Sequence, residues 1–188
     1  MALTKTHIVI GGASGMGLAT AHLLLEQGHR VAVCDISRKS LDSLGAQVSE
    51  SKSEKHYFAK TVDVTDRAAL EAFFHEAKQH FGDIHGIANF AGTPGHKLGE
   101  EPVWQTSAEE YEFIMNINVK GLFNVLAISL SPGFLADQAS VVHIGSIFSE
   151  RGFSNGAVFA ASKHAAAGMV RSVAKETEGR VRVNTVLP

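Results

Sequence analysis

The stretch GGASGMGLA places glycines at 11, 12, 15 and 17, between the apolar run THIVI and a segment of helical periodicity. Glycines in a strand-to-helix turn let the backbone approach a pyrophosphate, which rests on the free N–H groups of the helix N-terminus. Asp35 follows 18 residues after Gly17, at the end of the next apolar run. A carboxylate there accepts hydrogen bonds from both adenosine ribose hydroxyls and repels a 2′-phosphate. Ser14, beside Gly15, brings no cation to offset that repulsion. The expected ligand is NAD, with NADP less favoured. A second stretch, AVFAASKHAAAGM, sets Lys163 four residues after Phe159, on one face of a helix-like segment. Alone, it reads either as small-residue core packing or as an active-site helix without a hydroxyl.

These groups need elements to hold them. Short β-branched runs alternate with longer helical patterns. Strands are predicted over 6–12, 30–36, 55–64, 83–92, 139–146 and 180–187. Helices are predicted over 15–28, 37–50, from a Thr65 cap to 81, 107–130 and 157–178, with Gly45 weakening the second. Ser107 and Glu110 have the form of a capping box, and 93–105, with Pro94, Gly95, Gly99 and Pro102, reads as a loop. Near-continuously apolar strands alternating with helices mean a parallel sheet covered on both faces. The expected fold is one doubly wound α/β domain over 1–188, with right-handed crossovers and its ligand at the carboxyl ends of the strands.

Composition narrows the function classes. Of 188 residues, 45% are apolar and 19% charged, which argues against disorder. A net charge of −2 and scattered histidines leave no basic stripe for nucleic acid or anionic lipid. The lone Cys34 excludes an intrachain disulfide and, within VAVC, reads as a buried small hydrophobe. No run approaches the ~18 apolar residues of a membrane span. The run in MALTKTHIVIGG is too short for a signal peptide, so the expected setting is cytoplasmic, with no membrane or nucleic-acid partner. Neither H-E-x-x-H nor C-x-x-C occurs, so no metal site is expected. Ser146 lies outside any G-x-S-x-G elbow, which disfavours acyl transfer.

The glycine spacing, Gly11, Gly15, Gly17, is G-x-x-x-G-x-G. It is joined by Asp63–Val64, by NFAG (Asn89 to Gly92), by NVKG (Asn118 to Gly121), and by Ser146 with F-x-x-x-K, Phe159 to Lys163, 13 residues on. In order along the whole chain, these resemble the short-chain dehydrogenase/reductase family, and VRVNTVLP is similar to its sixth strand and the start of its P-G motif. The resemblance implies a Rossmann fold and an NAD(H)-dependent oxidoreductase that interconverts a secondary alcohol and a ketone. It implies cofactor contacts at Gly11, Ser14, Gly15, Met16, Gly17, Asp35, Ile36, Asp63, Val64, Asn89, Ala91, Gly92, Lys163 and Pro188. By the same resemblance Ser146 holds the substrate oxygen, and Lys163 binds the nicotinamide ribose and lowers the pKa of a neighbouring phenol. Asn118 supports a proton-relay water, and a tyrosine at position 159 exchanges the proton. The helices over 107–130 and 157–178 would pair across the axis of a homodimer or homotetramer, with Phe123, Leu126, Val170 and Val173 as apolar surplus.

Several positions depart from the family pattern. Phe159 fills the tyrosine position and carries no proton; loss of a general acid typically costs a factor of about 10²–10⁴ in rate. Tyr57 and Tyr111 are the only tyrosines, and neither is an obvious stand-in. His143 reads as a strand residue, and Glu150 and His164 as solvated. Three readings of Phe159 stand open. It is a block introduced to trap a complex, a natural change that lost carbonyl chemistry but kept NAD binding, or a route to non-redox or substrate-assisted chemistry. Ile10 replaces a threonine and Phe90 an asparagine, both affecting local hydrogen bonding. Relative to the family, the chain ends at Pro188 without the substrate lid and last strand, so substrate identity is not expected to be legible. A non-catalytic NAD-binding or interaction protein on the same scaffold is the alternative function.

Overall fold

The first strand, β1 (Thr6–Ile10), buries Ile8, Val9 and Ile10 completely. Successive strand side chains point to opposite faces, so full burial demands a cover on both. In this computed structural model, which describes residues 4–51, 53–177 and 179–188, both covers are present. The chain continues through α1 (Gly15–Glu26), β2 (Arg30–Asp35), α2 (Arg38–Glu50), β3 (Tyr57–Thr61), α3 (Arg67–Phe81) and β4 (Ile84–Asn89). It completes the sheet through α4 (Ala108–Met115), α5 (Gly121–Ser129), β5 (Leu135–Ile144), α6 (Ala157–Glu176) and β6 (Arg182–Val186). All pairs are parallel, in the order β3-β2-β1-β4-β5-β6. This is the expected doubly wound sheet, and strand order reverses between β1 and β4, where a cleft opens at the strands' carboxyl ends.

Ile8 and Ile10 pack with Phe73 and Phe74 of α3, Val125 of α5, and Ala166 and Val170 of α6. On the other face, Val9, Val31 and Val33 pack with Ala21 and Leu25 of α1 and Leu41 and Leu44 of α2. Each such fully buried side chain contributes about 1.5–3 kcal/mol, so this two-sided cover is the main force fixing the sheet. Cys34 lies in this core, where burial pushes its thiol far above its usual range.

Five details differ from expectation. Asp66, not Thr65, caps α3, its carboxylate accepting from Ala69 N, while Thr65 turns back to Asp63. Ser107 caps α4 by accepting from Glu110 N, but the Glu110 carboxylate leaves the box and accepts from His96 instead. The helix expected over 107–130 is two α-segments joined by a π-helical turn, Asn116–Lys120. β5 begins earlier than expected, at Leu135, past a left-handed Gln138 (φ 61°). Leu126 and Val170 belong to the core rather than to a surplus outer face, whereas Phe123 is half exposed. The expected helix end at 178 and residues 1–3 lie outside the described residues.

Candidate active site

The turn after β1 is built for close approach. Gly11 (φ 68°) and Gly15 (φ 50°) are left-handed, a region that disfavours side chains. A methyl on Gly17 would collide with the Gly11 carbonyl. The turn is tied to β2 by Gly11 N and Gly12 N, which donate to the Cys34 carbonyl at 2.8 and 3.2 Å. Ser14 is the N-cap of α1, yet its side chain caps nothing, and no acidic residue stands in the first turn. The first N–H groups of α1 are therefore left without a side-chain partner and could receive an anion.

A cavity of about 590 Å³ runs from this turn along the strand ends, lined among others by Ser14, Asp35, Ile36, Asp63, Val64 and Gly92. Asp35 ends β2 with both carboxylate oxygens oriented: Oδ2 accepts from Ala13 N and Oδ1 from Ser37 N, each at 3.0 Å. Arg38, the nearest following cation, is turned away into an ion pair with Asp42 at 2.8 Å. Asp63 Oδ1 accepts from Thr65 N and Thr65 Oγ1, both at 2.8 Å. Val64 is fixed from behind by Asn124, whose Nδ2 donates to the Val64 carbonyl at 2.9 Å. Asn124 was not anticipated; its one signal is an amide inside the apolar run GLFNVLAIS. Met16, half exposed, stands in the first turn of α1 but does not line the cavity.

At the other end, the residues after β4 meet α4 to α6. Asn89 Oδ1 accepts from Ala91 N at 3.1 Å, and its Nδ2 faces His143 Nδ1 at 3.3 Å. Phe90 lines the cavity while its N–H donates to the Ile10 carbonyl at 2.8 Å, so the side-chain changes at both positions leave this strand contact intact. A methyl on Gly92 would sit 3.3 Å from Asn118 Oδ1 and 3.5 Å from Lys163 Nζ, so these two groups converge there. Asn118 lies in the π-helical turn, a distortion frequent at functional sites. Its Oδ1 accepts from Thr93 N at 2.7 Å; its Nδ2 donates to the Thr93 carbonyl at 2.8 Å and to Ser162 Oγ at 2.9 Å. Thr93 and Ser162 were not anticipated, because their role depends on residues far along the chain.

Ser146 follows β5 and caps a short turn, Ile147–Ser149. Its Oγ accepts from Phe148 N at 3.3 Å, which leaves the hydroxyl proton to donate. Ile147 N donates to the Pro188 carbonyl at 3.0 Å, bringing the chain's last residue beside Ser146. Lys163 is buried, and burial draws its pKa down. Its Nζ donates to the Ile144 carbonyl at 3.2 Å and stands 5.7 Å from the centre of the Phe159 ring.

Other protonatable groups lie elsewhere. His143 is buried on β5, its pKa lowered to about 4, first by burial and then by the Lys163 charge. Glu150 is exposed and paired with Arg171 at 3.2 Å, and His164 Nδ1 donates to the Ala160 carbonyl at 2.9 Å. Tyr57, the first residue of β3, packs near Gly45 of α2, burial pushing its phenol up to about 12. Tyr111, on α4, is half exposed. Among the described residues no group of three or more His, Cys, Asp or Glu is placed to hold a metal ion.

Comparison with known proteins bears on the family and the fold. The family described as short chain dehydrogenase matches residues 5–188. The short-chain dehydrogenase/reductase ABA4 of Pyricularia oryzae is 34% identical over 185 residues, covering 98% of this chain and 68% of that protein. Levodione reductase of Leifsonia aquatica is 32% identical, over 96% of this chain and 67% of that one. A crystal structure of levodione reductase superposes with a TM-score of 0.86 at 31% identity, covering 98% of this chain and 70% of that chain. A point mutant of actinorhodin polyketide ketoreductase, solved with NADPH, gives a TM-score of 0.87 at 25% identity, covering 100% of this chain and 72% of that one.

Proposed function

The chain belongs to the short-chain dehydrogenase family, and from that premise we propose that it binds NAD(H) and exchanges hydride with a small secondary alcohol or ketone, with the proton half of the reaction impaired at Phe159. The observation that carries this reading is the convergence of Asn118 and Lys163 on Gly92, at the end of a cleft that begins on a glycine cradle. A bound nicotinamide would supply or accept the hydride. The α1 N-terminus would hold its pyrophosphate, Asp35 its adenosine ribose, Asp63 and Val64 its adenine, and Lys163 its second ribose. The Ser146 hydroxyl would donate to the substrate oxygen, and Asn118 would keep the 92–93 backbone in place. Lys163 would ordinarily lower a phenol's pKa, and here meets a phenyl ring instead.

Support for NAD over NADP comes from Asp35 and Arg38. The carboxylate is locked toward the ribose by two backbone N–H groups, and the one nearby guanidinium is occupied by Asp42. A 2′-phosphate would meet the first and miss the second. Titration of NADH and NADPH by fluorescence tests this. NADH is expected to bind more tightly, and Asp35→Ala to narrow the gap; tighter NADPH binding by the unsubstituted protein would refute the assignment.

A second reading, a non-catalytic NAD-binding protein, is favoured by Phe159 itself. Phe159→Tyr, assayed with a panel of ketones and NADH, separates the two. Ketone reduction raised by about 10²–10⁴ supports the oxidoreductase. NADH binding with no turnover after the substitution supports the second. Assembly as a homodimer or homotetramer through α4–α5 and α6 is part of the proposal. Half-exposed Tyr111 and Phe123 on α4 and α5 support it, and light scattering on the purified protein tests it. Among the described residues no helix is long and apolar enough to cross a membrane.

A further inference from the structure

Phe148, Phe153 and Phe159 form an aromatic corner beside Ser146. The Phe148 and Phe153 ring centres are 4.0 Å apart, and Phe159 stands 6.3 and 6.5 Å from them, edge-on at 70° and 75°. The backbone places all three. Phe148 N donates to Ser146 Oγ, so its residue is anchored to the serine. The Phe153 ring lies over Gly156, where a β-carbon would collide with it, at the entry to α6. Phe159 follows in the first turn of α6, with Lys163 one turn on.

Hydride addition to a neutral ketone leaves an alkoxide that must take a proton. Phe159 carries none. His143 is buried with its Nδ1 against the Asn89 amide, Glu150 is turned outward to Arg171, and His164 donates to its own helix. The proton-bearing groups remaining at the site are Ser146, a weak acid, and Lys163, which gives one N–H to the Ile144 carbonyl and, in the reading above, the others to the nicotinamide ribose. An acceptor that already carries a positive charge removes the requirement. The hydride, with its electron pair, adds to the carbon of a C=N⁺ group; the π pair moves onto nitrogen; a neutral amine leaves, and the nicotinamide is left oxidised. Charge and electrons balance with no proton taken up. Aromatic faces attract cations through the ring quadrupole; Phe159 already meets Lys163 Nζ at 5.7 Å, so half-buried Phe148 and Phe153 are the two rings left to receive a ligand cation. The Lys163 charge opposes a second cation, and attraction to the rings must outweigh it.

We propose that the hydride acceptor suited to this site is a preformed iminium ion with an apolar or aromatic body, rather than a neutral ketone. The proposal rests on the nicotinamide-binding reading above. The corner recognises the cation, and Phe159, the feature that disables carbonyl reduction, leaves the hydride step to an iminium unhindered.

The test has two arms on the full chain. First, binding of N-methylisoquinolinium is compared by calorimetry with neutral isoquinoline, measured above the latter's pKa. The cation is expected to bind at least about threefold more tightly, and Phe148→Leu or Phe153→Leu to remove most of that preference. Second, NADH consumption is followed with N-methyl-3,4-dihydroisoquinolinium and with its neutral relative 1-tetralone. The iminium is expected to be reduced at a rate flat with pH and at least about tenfold above the ketone. Phe159→Tyr is expected to raise the ketone rate only. Equal binding of cation and neutral ligand, or ketone reduction as fast as iminium reduction, overturns the proposal. NADH binding seen by fluorescence with an inert iminium overturns it alone; no NADH binding overturns the nicotinamide reading and this proposal with it.

Discussion

Lys163 Nζ lies 5.7 Å from the centre of the Phe159 ring and donates to a single carbonyl, that of Ile144, at 3.2 Å. Among the described residues no carboxylate forms an ion pair with it. A buried ammonium with one hydrogen bond and a ring face is poorly compensated. Its retention is a burden on the fold that a bound anionic or hydroxylated ligand would offset.

Lys163→Met should therefore stabilise the ligand-free protein while weakening NADH binding. The expected gain is about 1 kcal/mol, seen as a higher urea midpoint at unchanged slope. NADH affinity measured on the same variant should fall at least about tenfold, since a charge-assisted contact to the ribose is lost. A variant less stable than the parent would show that the lysine stem's packing outweighs its charge.

Asn118 ties three segments together, holding Thr93 N and O and reaching Ser162 Oγ. Asn118→Leu leaves both Thr93 backbone groups without that partner, a loss of about 1–3 kcal/mol. Ser162→Ala removes the bond from Asn118 Nδ2 and the hydroxyl's own bond to the Phe159 carbonyl but leaves both Thr93 backbone groups held, and should cost less than Asn118→Leu, about 1 kcal/mol. Urea unfolding of the two variants checks the ranking; the reverse order would mean that Thr93 finds other partners.

The glycines offer a paired comparison. At Gly17 a β-carbon would strike the Gly11 carbonyl, so Gly17→Ala must displace the turn proposed to hold the pyrophosphate. The expected result is a stability loss of about 1–3 kcal/mol together with loss of NADH binding. At Gly168, inside α6, a β-carbon meets nothing within 4 Å and φ is not left-handed. Gly168→Ala should stabilise by about 0.5–1 kcal/mol and leave NADH binding unchanged.

These residues also mark what a linear reading reaches. The glycine turn, Asp35 and the strand–helix alternation were legible because each is local: a turn with its helix, or a period of two against a period of 3.6. The π-helical turn was not, because no spacing in Asn116–Lys120 separates it from an ordinary helix, and the partners of Asn118, Thr93 and Ser162, lie far along the chain. Asn124 holding Val64, 60 residues away, is hidden for the same reason. Thr65 and Asp66 are both good caps, and only the Asp63 hydrogen bonds that occupy Thr65 decide between them. The apolar surplus at Leu126 and Val170 was misjudged because α5 and α6 bury more of their circumference than one sheet face requires.

Acid stability provides the last prediction. His7 on β1 packs edge-on against His29 at 5.1 Å, while His85 Nδ1 accepts from Thr6 N and His29 Nδ1 from Lys5 N. His7 is lowered from 6.5 to about 4, first by burial and then by the charges of His29, His85 and Lys5. His143 is lowered to about 4 as well, by burial and Lys163. Folding therefore holds both rings neutral between about pH 6.5 and 4, where the unfolded chain takes up the protons. The folded state binds fewer protons there, so stability rises with pH: it is fully present above 6.5 and lost as pH falls toward 4. Each histidine contributes a slope approaching about 1.4 kcal/mol per pH unit. Urea midpoints measured from pH 7 to 4 should decline, and the decline should be shallower in His7→Gln, whose amide does not titrate. An equal slope in that variant would place the acid sensitivity elsewhere, with His143 the next group to replace.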